Sequence, residues 1–220
     1  MLRFAADLHI HTEHSPCASP DMTAALIVAE AVRKGIEVIA VCDHNTVAGV
    51  RAVLEAAVAA GPYVVPGIEI TTAEEVHVLG YFGGLADACS AARAVVAGVA
   101  EPHALGASRL TLGQTVDLIH RFGGLAVAAH VDRPHFSVSS QLGFLPPDIP
   151  FDGLEISAAG VSAGRARDFA ATGITLVSSS DSHAPDGMGT GITALEMEGP
   201  SFSELRLALG GQKGRRCLIA

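Results

Sequence analysis

Tryptophan is absent from this 220-residue chain, tyrosine occurs only twice, and aromatic residues make up 5% of it. So few π faces leave no stacking series of the kind that grips single-stranded nucleic acid. Basic residues are scarce too: 14 Lys and Arg stand against 23 Asp and Glu, a formal charge of −9. That balance argues against polymeric nucleic acid as a partner, because a phosphate backbone normally calls for a basic footprint. Cysteine is limited to Cys17, Cys42, Cys89 and Cys217, without a C-x-x-C or a paired spacing. This excludes a disulfide framework and leads us to expect reduced thiols in the cytoplasm. No apolar run approaches the roughly 18 residues of a transmembrane helix, so no membrane partner is expected. The opening Met-Leu-Arg-Phe-Ala-Ala-Asp does not read as a signal peptide.

What the chain does have is apolar bulk, 49% of its residues, which suits one domain over residues 1–220. Val-, Ile- and Leu-rich runs at 4–10, 37–42, 63–70, 76–82, 125–131, 153–157 and 174–180 read as strands covered on both faces. Helical patterns lie between them. Thr23 can cap a helix that stops at Gly35. Val50, Val53, Leu54, Ala57 and Val58 form an apolar stripe ending before Gly61-Pro62. Thr111 to Gln114 and Ser201 to Glu204 have the capping-box form. Strand followed by helix, repeated, is the pattern of a parallel sheet with helical crossovers, and about seven strands favour a closed barrel over an open doubly wound sheet.

Ten histidines are present, so isolated pairs count for little. Position is more informative. His9 and His11 end the first strand and share a face at i and i+2. His44 follows the second strand, Glu69 lies near the end of the third, His130 closes the fifth, and Asp181 and His183 follow the last. In a parallel barrel all these ends meet at one mouth. His77 opens the fourth strand, and would join them only if that strand entered from the mouth side. Nitrogen and carboxylate donors without a cysteine cage suit catalytic zinc, manganese or iron. Eight such groups exceed the needs of one ion and imply two or three divalent ions. His14, His103 and His120 read as solvent-facing, while His135 lies in a loop from which it could touch substrate.

The ordered segments Asp-Leu-His-Ile-His, Val-Cys-Asp-His-Asn, Pro-Gly-Ile-Glu-Ile, Glu-Val-His-Val-Leu, Ala-Ala-His-Val-Asp-Arg and Ser-Ser-Asp-Ser-His resemble the polymerase and histidinol phosphatase (PHP) superfamily. The resemblance runs from residue 7 to residue 183 and implies a distorted seven-stranded (β/α)7 TIM-like barrel that hydrolyses phosphate esters. It also implies that His9, His11, Glu69 and Asp181 hold one ion, that Glu69 bridges to a second with His77 and His130, and that His44 and His183 belong to a third. The family pattern supplies another ligand soon after the first motif; here Cys17, Asp21 or His14 would have to fill that place.

The expected reaction is hydrolysis of a small phosphomonoester or nucleotide-like phosphoester by a hydroxide bridging two ions. Arg133 is placed to grip phosphate, or else to form a surface salt bridge. Asp43 is expected to orient a ligand histidine rather than to touch metal. An amidohydrolase or deacetylase, and a non-catalytic metal-binding accessory domain, are the competing readings.

Overall fold

The computed structural model describes residues 1–58, 61–97 and 106–219, and His103 lies outside them. Its described elements are β1 (Leu2–Ile10), α1 (Ala24–Lys34), β2 (Val38–Val41), α2 (Val50–Ala57), β3 (Tyr63–Thr71), β4 (His77–Tyr81), α3 (Leu85–Ala97), α4 (Leu112–Arg121), β5 (Leu125–Ala128), α5 (Val138–Leu142), β6 (Gly153–Ser157), α6 (Ala158–Ser162), α7 (Ala166–Phe169), β7 (Leu176–Ser179), β8 (Thr193–Met197), α8 (Phe202–Leu209) and β9 (Arg216–Ile219). Local signals fix many of the ends. Thr23 accepts the Leu26 N–H at the start of α1, and Gly35 in the left-handed region ends it. Thr111 and Gln114 form a reciprocal capping box at α4. Val50 and Val53 bury the stripe of α2, whereas Val58 lies beyond the helix and is 84% exposed, contrary to the expected stripe.

The strands form one nearly closed sheet in the order β7-β6-β5-β4-β3-β2-β1-β8-β9. The expectation of seven strands is thereby corrected to nine among the described residues. The seven foreseen strands are present, and β8 and β9 add an antiparallel pair beside β1. Direction also departs from an all-parallel barrel. β1 to β3 and β5 to β7 run parallel, but β4 is antiparallel to both β3 and β5. Reversal puts the first residue of β4, His77, at the end where its neighbours finish. Closure occurs at that same end: the His11 N–H reaches Ser182 O at 3.0 Å and the Ser182 N–H reaches His9 O at 3.3 Å. This contact draws the segment after β7 against the end of β1.

One buried cluster, including Phe4, Ala6, Leu8, Val38, Ala40, Val65, Leu79, Val127 and Val177, contains no residue of α1–α4 and fills the barrel. Its lower end meets Leu205, Ala208 and Leu209 of α8. Two outer clusters join the sheet to the helices, one through α1 and α2 and the other through α3 and α4. Between Asp7 and Ile10 the β1–β2 register slips by one residue. This bulge changes the phase of the strand. Leu8 belongs to the inner cluster but Ile10 to an outer one, so His9 and His11, flanking Ile10, face inward. Among the described residues no helix is long and apolar enough to cross a membrane.

Candidate metal centre

Six of the eight expected site residues are buried and Asp181 and His183 are half-buried, and all eight gather at the mouth where β1, β2, β3, β5 and β7 end. Glu69 is their hub. Its Oε1 lies 2.8 Å from His77 Nδ1 and 3.3 Å from His130 Nε2. Its Oε2 lies 2.9 Å from His44 Nδ1, 3.4 Å from His9 Nε2 and 3.3 Å from His11 Nε2. Each oxygen thus serves a different group of imidazoles, the geometry of a carboxylate that bridges two centres. Three sets of ligand atoms lie within 4.8 Å of one another: His9, His11, Glu69 and Asp181; His44, Glu69 and His77; and His11, His44 and His183. His44 therefore stands with Glu69 and His77 as well as with His183, and His11 with two sets rather than one. His130 touches Glu69 but falls outside these sets.

The proton inventory shows what the cluster lacks. His9 Nδ1 lies 3.0 and 3.3 Å from the two oxygens of Glu155. A carboxylate only accepts, so Nδ1 carries the proton and Nε2 is left with its lone pair. His11 Nδ1 lies 2.9 Å from Ser15 Oγ, whose own proton goes to Asp43 at 2.7 Å. His11 must donate there too, which bares its Nε2. His183 Nδ1 donates to the Asp181 carbonyl at 2.9 Å, with the same result. The Nε2 atoms of His9 and His11 then face each other at 3.1 Å and face Asp181 Oδ1 at 3.3 and 3.0 Å. His130 Nδ1 is buried without a hydrogen-bond partner, and His44 Nδ1, His77 Nδ1 and Glu69 Oε2, though close to one another or to Glu69 Oε1, are not aligned for a hydrogen bond. Lone pairs so disposed repel unless a cation lies between them. The donor set and its orphaned atoms fit divalent metal ions.

Without such a cation, charge is held by protons. Burial opposes charging His9, but Asp181, Glu155 and Glu69 outweigh it and hold its pKa well above the ordinary value. The same contest raises His11, through Asp181 and Glu69. Burial opposes ionisation of Glu69, yet His77, His9 and His44 keep its pKa well below the carboxylate range. Asp181 is lowered likewise, against burial, by His9 and His11. His183 is pushed down to about 4 by burial and by the neighbouring His11, on whose ring it stacks at 4.0 Å.

A second layer fixes this orientation. Asp43 accepts the Thr12 N–H and the hydroxyls of Thr12 and Ser15, each at 2.7 Å. It acts on His11 through Ser15. Glu155, fully buried on β6, holds His9 and also accepts the His130 N–H at 3.0 Å. Sequence reasoning missed Glu155, although Gly153-Leu-Glu-Ile156 repeats the form of Gly67-Ile-Glu-Ile70. Backbone strain marks the same rim: Asn45, His130 and Asp181 adopt φ of 53°, 28° and 50° in the segments that follow β2, β5 and β7.

A cleft of about 450 Å³ opens over the centre. Arg133 lines it and pairs with Asp181, so its guanidinium reaches a candidate ligand rather than a remote surface acid. His135 lines it as well. Of the three residues considered for the third site, Cys17 lines the cleft, while Asp21 and His14 are exposed and do not. His120 is not simply solvent-facing; it is half-buried and pairs with Asp152 at 2.8 Å.

A model of the PHP domain family matches residues 7–139. No curated protein sequence matches the chain. Among solved structures, the lesion-specific endonuclease PfuEndoQ from Pyrococcus furiosus is similar with a TM-score of 0.78 and 22% identity, over 98% of this chain and 58% of that one. Endonuclease Q in complex with a 27-mer duplex bearing an abasic lesion at its active site gives 0.76 and 21%, with the same coverage. An amidohydrolase from Chromobacterium violaceum with bound sulfate gives 0.67 and 17%, over 97% of each chain. The chain therefore spans 58% of the length of the endonucleases it resembles. At these identities the likeness establishes the barrel. It also corrects the expectation that polymeric nucleic acid is an unlikely partner, because Endonuclease Q, with a similar barrel, holds a 27-mer duplex substrate at its active site. Net charge misleads here because it averages over a whole surface, whereas cations held in a site make that site locally positive.

Proposed function

Because the chain belongs to the PHP domain family, whose model covers more than half of it, we propose that it is a metal-dependent phosphoesterase acting on a nucleotide-type phosphoester, free or within a strand. The whole barrel would serve as one hydrolase domain. The observation that supports this reading is the split of Glu69 between two sets of imidazole nitrogens, His77 and His130 on one oxygen and His44, His9 and His11 on the other. His9, His11, Glu69 and Asp181 would hold one ion, and Glu69, His77, His44 and His130 a second. His11, His44 and His183 would hold a third. Zinc, manganese or iron there would supply Lewis acidity to water and to the phosphoryl oxygens.

The chain's own residues do the rest. Glu155 and the Ser15–Asp43 pair hold His9 and His11 in the tautomer that presents Nε2 to the mouth. Arg133, with 41% of its side chain exposed, offers the free part of its planar fork to phosphoryl oxygens while pairing with Asp181. Glu69 itself is fully buried at the base of the cleft.

Elemental analysis of protein purified without chelator should give two or more transition-metal ions per chain. Glu69→Ala should lose both metal and activity together, since one carboxylate serves two sets. One ion or none in the parent protein, or full activity in Glu69→Ala, defeats the proposal. The reaction is tested on a panel of phosphorylated metabolites, nucleotides and lesion-bearing duplexes. Amide hydrolysis is the second reading, favoured by the likeness to an amidohydrolase; turnover of amides with no release from any phosphoester would establish it instead.

A further inference from the structure

Four consecutive residues, Arg133, Pro134, His135 and Phe136, line one wall of the cleft. Phe136 is not a core residue. It is 43% exposed, one of few large apolar side chains left in water among the described residues. Its backbone sits at φ 56°, a region that a bulky residue adopts only when its surroundings impose it. The surroundings are identifiable. The His77 N–H donates to Phe136 O at 2.9 Å, and Ser137 Oγ donates to Arg133 O at 2.7 Å, closing the segment into a staple across the start of β4. The Phe136 ring lies on the His77 ring at 4.8 Å and 15°, so one aromatic face is covered. The exposure therefore belongs to the rest of the ring, beside the cleft that Arg133 also lines.

From this geometry we infer that Phe136 forms the floor of a nucleobase subsite. The planar ring of the substrate stacks on its open side while Arg133 and the centre hold the phosphate. This deepens the phosphoester reading and rests on it for the placement of phosphate. Stacking suits such a role because every base has a π face, so a single aromatic platform recognises the class without reading the base. A strained, stapled backbone keeps the ring in place before substrate arrives, which reduces the ordering cost of binding.

The test is calorimetric titration of protein purified without chelator, using hydrolysis-resistant phosphonate analogues of adenosine monophosphate and of ribose 5-phosphate. The two probes differ by the base. The parent protein should bind the adenosine analogue about tenfold more tightly, the usual scale of one base–aromatic stack. Phe136→Tyr should keep that preference. Phe136→Leu should abolish it, with affinity for the ribose analogue and metal content per chain unchanged. Equal affinity for the two analogues in the parent protein overturns the subsite. So does a Phe136→Leu protein that weakens both analogues alike or loses metal, because Phe136 would then act only through His77. A base preference without hydrolysis of any phosphoester refutes the reaction and upholds the subsite; hydrolysis without base preference does the reverse.

Discussion

Glu155→Gln is the sharpest probe of how the centre is held. The native carboxylate accepts from two buried donors, His9 Nδ1 and the His130 N–H, both at 3.0 Å. Both donors reach the same oxygen, Oε2, while Oε1 lies 3.3 Å from His9 Nδ1. Gln keeps the volume; its oxygen in the Oε2 place keeps both bonds without the charge and sets the amide N–H2 in the Oε1 place, against His9 Nδ1. That amide opposes the Nδ1 proton and favours the opposite tautomer of His9. The Nε2 proton then points at Asp181 and Glu69, where a lone pair stood. Turning two buried charge-assisted bonds into neutral ones, with an amide N–H2 set against Nδ1, should cost about 2–3 kcal/mol. For a chain of this length that lowers Tm by roughly 4–12 °C. The fold should survive, since total stabilities run to about 5–15 kcal/mol. Metal affinity should suffer more, by about 10–100-fold, as for other partners that orient ligand histidines. Zinc or manganese titration calorimetry measures the affinity, and nitrogen chemical shifts of the imidazole report the tautomer. A Glu155→Gln protein that binds metal within about twofold of the parent, with His9 still protonated at Nδ1, would refute the orienting role.

Three further substitutions probe separate links. A Cβ at Gly49 would lie 2.2 Å from Thr12 Oγ1 and 2.7 Å from Asp43 Oδ2. Gly49→Ala should therefore cost about 1–3 kcal/mol by overpacking and weaken metal binding through Ser15 and His11; unchanged denaturation and titration curves would exclude the relay. Burial pushes the Asp7 carboxyl up to about 6 from 3.8. The stabilisation from its proton is then complete below pH 3.8 and lost as pH rises through 6, roughly 3 kcal/mol in all. Between pH 4 and 7, urea denaturation in chelator should show the parent losing that amount relative to Asp7→Asn, and parallel curves would disprove it. Arg133→Lys keeps a charge near Asp181 but loses the planar fork. It should raise KM for phosphoesters about 5–10-fold with kcat little changed, whereas an equal loss on amide substrates would point away from phosphate recognition.

The convergence of the eight candidate residues was legible because six strand ends carry polar groups that apolar strands rarely tolerate without a purpose. The reversal of β4 was not, since alternation reads the same in either direction; only the misplacement of His77 hinted at it. β8 escaped because it buries only alternate residues, Thr193, Leu195 and Met197, and β9 because it buries none fully. Glu155 was visible in principle. The reasoning that singled out Glu69, a carboxylate inside an apolar strand after Gly, applies to it without change. Ser15 and Thr12 carry no such mark, because a hydroxyl in a loop is ordinary until its partners are known. The pairing of Arg133 with Asp181 joins residues 48 positions apart and depends on the closure between β1 and the segment after β7.

The supernumerary residue in β1 leaves a trace beyond the register. Had the ladder run unbroken with Leu8 inside, both imidazoles would have pointed into the helical shell. The slip instead seats a fully enclosed leucine directly below them. Hydrocarbon beneath a ring of nitrogen and oxygen donors keeps the local dielectric low, so every charge brought to the rim is felt at greater strength than water would allow.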